Sequence, residues 1–409
     1  MKTIVIGIII IMFLMDIGIS ILNYRNRNAP LPENVKDIFE ESEYQRWLGY
    51  FMENFRFGMI LKLLNLLIML GMLLLGGFAK LESISAGWFQ NEILQTLSFI
   101  GLYFLIYMII SLPFDYYKTF VIEEKYGFNK MTLKTFVMDQ IKGLFVGALL
   151  GGGILALINA IYLMFIDRMY LFILLSWIVV TIVMVLMILM NTRFFVKLFN
   201  KLSPVEEGSL KDRIQKLSSE TGFEIQSIFV MDASRRSTRL NAFFSGMGKV
   251  RDVVLFDTLI EKLSEDEVMA VLAHELGHAS HKDVQKMFLR QIVFFGLFMT
   301  VLGIVLGSES LPLAFGLSGV HFGFSLILFS VFVQPLSFLL SIPINALSRK
   351  AEYAADAFSA EYIDRSHMIS ALKILSQENF SNLTPHPVYV LMHYTHPPVS
   401  IRLEAIQRL

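Results

Sequence analysis

The 409 residues hold 35 basic and 35 acidic side chains, are 55% hydrophobic and only 17% charged, and contain no cysteine. Mean hydropathy is +0.59, against roughly 45–50% apolar and about 25% charged residues in soluble proteins, so much of this chain must face lipid. The balance excludes a nucleic-acid footprint and disordered or disulfide-scaffold classes, and the missing cysteine excludes a thiol nucleophile, thiolate metal ligands and lipidation of the chain itself.

A bilayer-crossing helix needs about 20 mostly apolar residues, and seven such runs are present. They are Thr3–Leu22, Phe57–Phe78, Ile93–Leu112, Leu144–Phe165, Leu171–Met190, Met287–Gly307 and Phe322–Ile344. The first lacks a small-residue cleavage site and reads as a retained span. The first loop carries Arg25, Arg27, Lys36, Arg46 and Arg56, and the third carries Lys118, Lys125, Lys130, Lys134 and Lys142. The second holds only Lys80, the fourth only Arg168 and the sixth none, whereas the fifth is rich in basic residues. By the positive-inside rule the odd loops are cytoplasmic, the N-terminus is outside and the C-terminus is inside.

These spans divide the chain into 1–190 with five helices, a cytoplasmic region 191–286, two further helices in 287–344 and a cytoplasmic C-terminal region 345–409. Within 191–286, periodicity around Ser209–Ser219 predicts a helix. Apolar runs at Glu224–Met231, Arg239–Met247 and Val250–Asp257 predict strands. Among polar residues in or near spans, Asp16 and Asn159 read as cavity-lining, while Lys62 and Arg290 are close enough to span ends to snorkel. Trp47 and Trp88 fit the membrane interface. The sequons at Asn379 and Asn382 fall on the cytoplasmic side, where no glycan is expected.

The chemistry concentrates in His274-Glu275-Leu-Gly-His278. Ser264 followed three residues later by Glu267 is a capping box that starts a helix near Glu265. On that helix the two histidines share a face at i and i+4. Zinc accepts such nitrogens at about 2.0–2.1 Å, and the intervening Glu275 is placed as a general base. A catalytic zinc takes a third protein ligand, and Glu352, just after the seventh span, is the leading candidate, with Glu361 and Asp364 as neighbours that compete for the role. Asp356 stands one turn beyond Glu352, placed to accept the free N–H of a ligand histidine. His281 reads as a solvated position, and His321, His367, His386 and His393 as structural or surface ones. His396, held by Pro397 and Pro398, is a candidate for stabilising an oxyanion.

Several motifs in order resemble the type I CAAX prenyl proteases, integral-membrane zinc endopeptidases. Besides the His-Glu-x-x-His core they are the third-loop segment Thr119–Thr132 and the stretches Ser237–Gly246, Val254–Leu259, Ser348–Asp356 and His396–Arg402. The resemblance implies a mainly α-helical polytopic fold of about seven spans enclosing a chamber, with a cytoplasmic zinc region that includes a small β-sheet. It implies one Zn²⁺ held by His274, His278 and Glu352, Glu275 as base, and Asp356 supporting a ligand. It also implies that substrate backbone adds along Asn241 and Ala242, with His396 and Arg402 near the reacting carbonyl. The implied partners are the lipid bilayer and peptide or protein substrates, prenylated or not, in a prokaryotic plasma membrane or endoplasmic reticulum. The third-loop motif reads as a docking element. Three rival readings stand beside this one: a stress-type membrane protease without prenyl preference, a non-proteolytic declogging factor, and a transporter.

Overall fold

The computed structural model of the chain describes residues 1–245 and 250–409, so the end of the Arg239–Met247 run and of the Ser237–Gly246 motif lie outside the described residues. Seven helices are long and apolar enough to cross a membrane: Lys2–Asn28, Glu41–Leu74, Glu92–Glu123, Leu133–Met164, Met169–Met190, Asp283–Leu306 and Phe322–Tyr362. Protein buries no more than 28% of the most apolar window of any of them. Their outward faces carry large exposed side chains such as Leu67, Phe145, Ile182 and Leu289, which water would not tolerate in such numbers.

The second, third, fourth and seventh spans run well beyond their apolar cores, and the extensions of the second and seventh position the site. The second begins at Glu41 rather than near Phe57, because its first turns are amphipathic and pack into a core outside the membrane. Trp47 sits there, 1% exposed, with its indole N–H donating to the Phe380 carbonyl at 3.1 Å. It is therefore a core residue and not an interfacial anchor, whereas Trp88 is 60% exposed. The seventh span is a 41-residue helix that continues past Ile344 without a break and passes through Glu352. At about 1.5 Å per residue it projects well out of the bilayer, and the 344/345 division falls inside it.

Between the fifth and sixth spans lies a four-stranded sheet of β1 (Leu202–Pro204), β2 (Glu224–Met231), β3 (Ala242–Ser245) and β4 (Val250–Phe256). The order is β1-β2-β4-β3, parallel between β2 and β4 and antiparallel elsewhere. Alternation puts Val253 and Leu255 on the face that packs against Leu259, Met269, Leu272 and Leu276. A helix over Ser209–Thr221 adds Ile214 and Leu217 to the same core. β3 is an edge strand, and among the described residues only β4 pairs with it.

The loops assigned to one side of the membrane gather around this domain. In the first, Asn34 donates to the Ser400 carbonyl at 2.7 Å and Asp37 pairs with Lys373 at 2.6 Å. In the third, Asn129 bridges Ser237, Phe128 accepts from the Thr238 amide, and Glu123 lies 3.4 Å from Arg239. The third-loop motif thus docks against the segment that leads into β3.

Of the intramembrane polar residues, Asp16 lines a cavity as the sequence predicts, whereas Lys62 and Asn159 are arranged differently. Lys62 does not snorkel: its ammonium lies 2.8 Å from Asp16 and donates to Ser20 at 2.7 Å. The pair lines a cavity of about 850 Å³ among the spans, together with Asn65, Gln334 and His393. Pairing keeps both charges compatible with an apolar setting. Asn159 is instead buried, its amide reaching the Glu92 carbonyl at 3.5 Å.

Candidate metal centre and active site

The helix that carries the motif spans Glu265–Ser280 and begins with the capping box, both reciprocal hydrogen bonds present. His274 is buried and Glu275 and His278 partly so. Gly277 lets this helix lie directly on the seventh span, since a Cβ there would stand 2.8 Å from the Ala355 Cα. Ser359 reinforces the contact by donating to the Ala270 carbonyl at 2.8 Å. This close crossing brings Glu352, 78 positions after His274, to the two histidines.

Glu352 Oε2 lies 3.5 Å from His274 Nε2, and its Oε1 lies 3.2 Å from His278 Nε2. Ligand atoms held about 2.0–2.1 Å from a tetrahedral zinc stand roughly 3.3 Å apart, so these separations suit one ion. Among the described residues, His274, His278 and Glu352 form the group of donors close enough to share it. Glu361 and Asp364 are not part of that group. Glu352 Oε2 is buried and accepts no hydrogen bond, so its charge relies on nearby cations, of which Arg402 at 3.4 Å is one.

Each histidine is backed by a carboxylate on its other nitrogen. Asp356 Oδ1 is 2.8 Å from His274 Nδ1, a close charge contact at an angle poor for a hydrogen bond. Asp283 Oδ2 is 3.1 Å from His278 Nδ1. Sequence reasoning missed Asp283, because it lies five residues on, beyond the helix end. Lys282, with φ of 56°, makes the left-handed turn that folds it back, and nothing about a lysine signals that conformation.

Asp356 is itself gripped by Arg402, with Nε at 2.9 Å from Oδ2 and Nη2 at 2.6 Å from Oδ1. Arg402 Nη1 also lies 3.4 Å from Glu352 Oε2. The guanidinium is buried and paired with these two carboxylates, because a bidentate pair is the favourable arrangement for a charge withdrawn from water. His396 behaves otherwise. Its ring is exposed toward a cleft of about 520 Å³ that Asn241 and Arg402 also line, with Nε2 3.2 Å from Glu352 Oε1 and Nδ1 3.0 Å from Thr395 Oγ1. Asn241 is exposed at the start of β3, its side-chain oxygen accepting from the Ala242 amide at 2.9 Å, while Ala242 itself is buried.

The electrostatics follow from this packing. Burial pushes the Glu275 carboxyl above its ordinary range. Burial opposes a charge on His278, but hydrogen bonds to Glu352 and Asp283 prevail and push it up to about 9. His274 is likewise raised, burial being outweighed by Asp356 and Glu352. His396 is lowered by desolvation, so it is neutral near pH 7.

Of the remaining histidines, His321 and His386 cap the helices that follow them. His281 is half-buried beside the metal cluster rather than fully solvated.

A glutamate delivered by a membrane helix to a His-Glu-x-x-His pair defines a class, the multi-pass membrane metalloproteases, and this chain is one of them. Residues 20–201 match the family described as CAAX prenyl protease N-terminal, five membrane helices, and residues 204–409 match peptidase family M48. The chain therefore belongs to peptidase family M48. It is 33% identical over 411 residues to a CAAX prenyl protease 1 homolog of Arabidopsis thaliana, covering 98% of this chain and 96% of that protein. It is 34% identical over 337 residues to CAAX prenyl protease 1 of Saccharomyces cerevisiae, covering 77% of this chain and 73% of the relative. The crystal structure of S. mikatae Ste24p superposes with a TM-score of 0.93 at 28% identity, over 99% of this chain and 98% of that one.

Proposed function

We propose that the protein is a zinc endopeptidase that cleaves CAAX-type proteins or peptides near their C-terminus, with the active site on the cytoplasmic side. One observation carries the reading: donor atoms of His274, His278 and Glu352 converge at tetrahedral spacing. Two imidazoles and a carboxylate without any thiolate are a donor set suited to zinc.

When bound, the zinc would polarise a scissile carbonyl and acidify water. The chain's own residues supply the rest. Asp356 and Asp283 orient the two imidazoles, and Arg402 holds Asp356 and Glu352 in place. Among the described residues no strand pairs with the outer edge of β3, and an extended substrate can add there, beside Asn241 and Ala242, by main-chain hydrogen bonds. Glu275 takes the proton of the attacking water and delivers it to the leaving nitrogen. His396, neutral and facing the cleft, donates to the developing oxyanion. The full-length relation to CAAX prenyl proteases, including the region 20–201, favours this reading over the rivals.

Cleavage of matched prenylated and unprenylated CAAX peptides by the purified zinc-loaded protein tests the substrate class. Faster cleavage of the prenylated peptide is the expected result; equal rates would remove prenyl recognition from the assignment, and no cleavage of either would remove the peptidase.

Metal affinity should depend on pH, with a definite sign. His278 stays protonated until about pH 9, so a metal must displace that proton below it. Apparent affinity should fall by about tenfold per unit as pH drops from 9 toward 7, and more steeply where His274 also releases a proton. Titration against a chromophoric chelator, corrected for the chelator's own protonation, reads this directly. A flat profile would show that the imidazoles are not ligands.

A further inference from the structure

A second cleft, of about 500 Å³, opens beside the metal cluster and shares none of its lining with the His396 cleft. Glu275 and His278 line it from the motif helix; Asp283, Lys286 and Arg290 line it from the sixth span, and Lys350 from the seventh. The positions 283, 286 and 290 are spaced i, i+3 and i+7, one face of a helix. Asp283 is tied to His278 and lies 3.6 Å from Lys286, so the charges of Asp283 and Lys286 are already paired. Arg290 is half-buried and makes no hydrogen bond or ion pair among the described residues, and the same holds for bonds from the exposed Lys350.

A half-buried guanidinium without a partner at the start of a membrane span is costly, and a planar anion is what satisfies it best. Its distance from the chemistry is informative. The bond between His278 and Asp283 fixes the start of the sixth span at the metal cluster, and Arg290 follows seven residues later, about 10.5 Å along the helix.

We propose that Arg290, assisted by Lys350, binds the free α-carboxylate of the substrate. The assignment rests on the peptidase reading above and deepens it: the cleft holds a chain terminus, so the enzyme is directed to C-termini by charge as well as by any lipid. Side chains of the leaving peptide occupy the apolar stretch between the two ends, where Met287 and Leu347 lie.

The test uses the full-length zinc-loaded protein and two peptides identical except for a C-terminal carboxylate or amide. The wild type should cleave the acid at least about tenfold better in kcat/KM, chiefly through KM, the scale of one charge-assisted hydrogen bond. In Arg290→Gln the acid-to-amide ratio should fall to near one; Arg290→Lys should restore part of it, and Lys350→Gln should lower it less. Equal cleavage of acid and amide by the wild type, or a ratio that survives Arg290→Gln, would overturn the proposal. So would a parallel loss on both peptides that anionic lipid reverses, which would make the cleft a lipid-headgroup site. If Arg290→Gln does not fold, the ratios of Arg290→Lys and Lys350→Gln decide in its place. Failure of the wild type to cleave either peptide would strike the peptidase reading instead, so the two are separable.

Discussion

Replacing Glu275 with glutamine is expected to leave the metal bound and remove nearly all turnover. The side chain lies between the two histidines in sequence, lines a cleft beside the metal cluster, and is not among the converging donors. Burial raises its pKa, which moves a carboxylate toward the range where it can both accept and return a proton near neutral pH. Glutamine keeps the shape and loses that capacity, while His274, His278 and Glu352 stay untouched. Removing a positioned acid/base group costs about 10²–10⁴ in rate. Metal per purified chain together with initial peptidase rate measures both halves of the expectation. Full activity in Glu275→Gln would end the assignment of the base, and loss of the metal would recast Glu275 as a ligand.

Replacing His274 with alanine should remove the metal itself, and with it all activity. His274 supplies one of three donors, and two remaining donors cannot retain zinc against a mild chelator. A second consequence is structural: Asp356 loses its contact at 2.8 Å and is left to Arg402 alone. Asp356→Asn provides the graded comparison. Loss of a carboxylate behind a ligand histidine lowers metal affinity by about 10–100-fold. Breaking its buried pair with Arg402 destabilises by about 3–5 kcal/mol. The expected series is therefore full occupancy in the wild type, partial occupancy and a lowered melting temperature in Asp356→Asn, and no metal in His274→Ala. Elemental analysis and thermal denaturation with and without added zinc separate these. A His274→Ala protein that keeps stoichiometric zinc would overturn the site.

The motif helix was legible in the sequence down to its first residue, because a capping box is a local pattern with a local cause: Ser264 and Glu267 satisfy each other whatever lies around them. The seven spans were legible for a similar reason, since lipid contact demands apolar runs of fixed length. Their ends were not. The start of the second span at Glu41 and the continuation of the seventh to Tyr362 depend on packing outside the membrane, around Trp47 and against Gly277. Hydropathy carries no record of that packing. Lys62 looked free to snorkel because its partner, Asp16, lies 46 positions earlier on another helix. Asp283 escaped notice because it depends on a left-handed lysine.

By itself, the sequence determined that the chain crosses a membrane about seven times, that its metal chemistry must use nitrogen and oxygen donors, and that two histidines share one helical face. These follow from composition, the missing cysteine and helical periodicity, all of which act over a few residues. Only the tertiary structure showed that Glu352, rather than Glu361 or Asp364, lies against the histidines, that Asp283 backs His278, and that Arg402 is buried against Asp356 and Glu352. Those outcomes require residues from separate helices to meet within 3–4 Å, and such meetings are governed by close packing between helices rather than by local sequence.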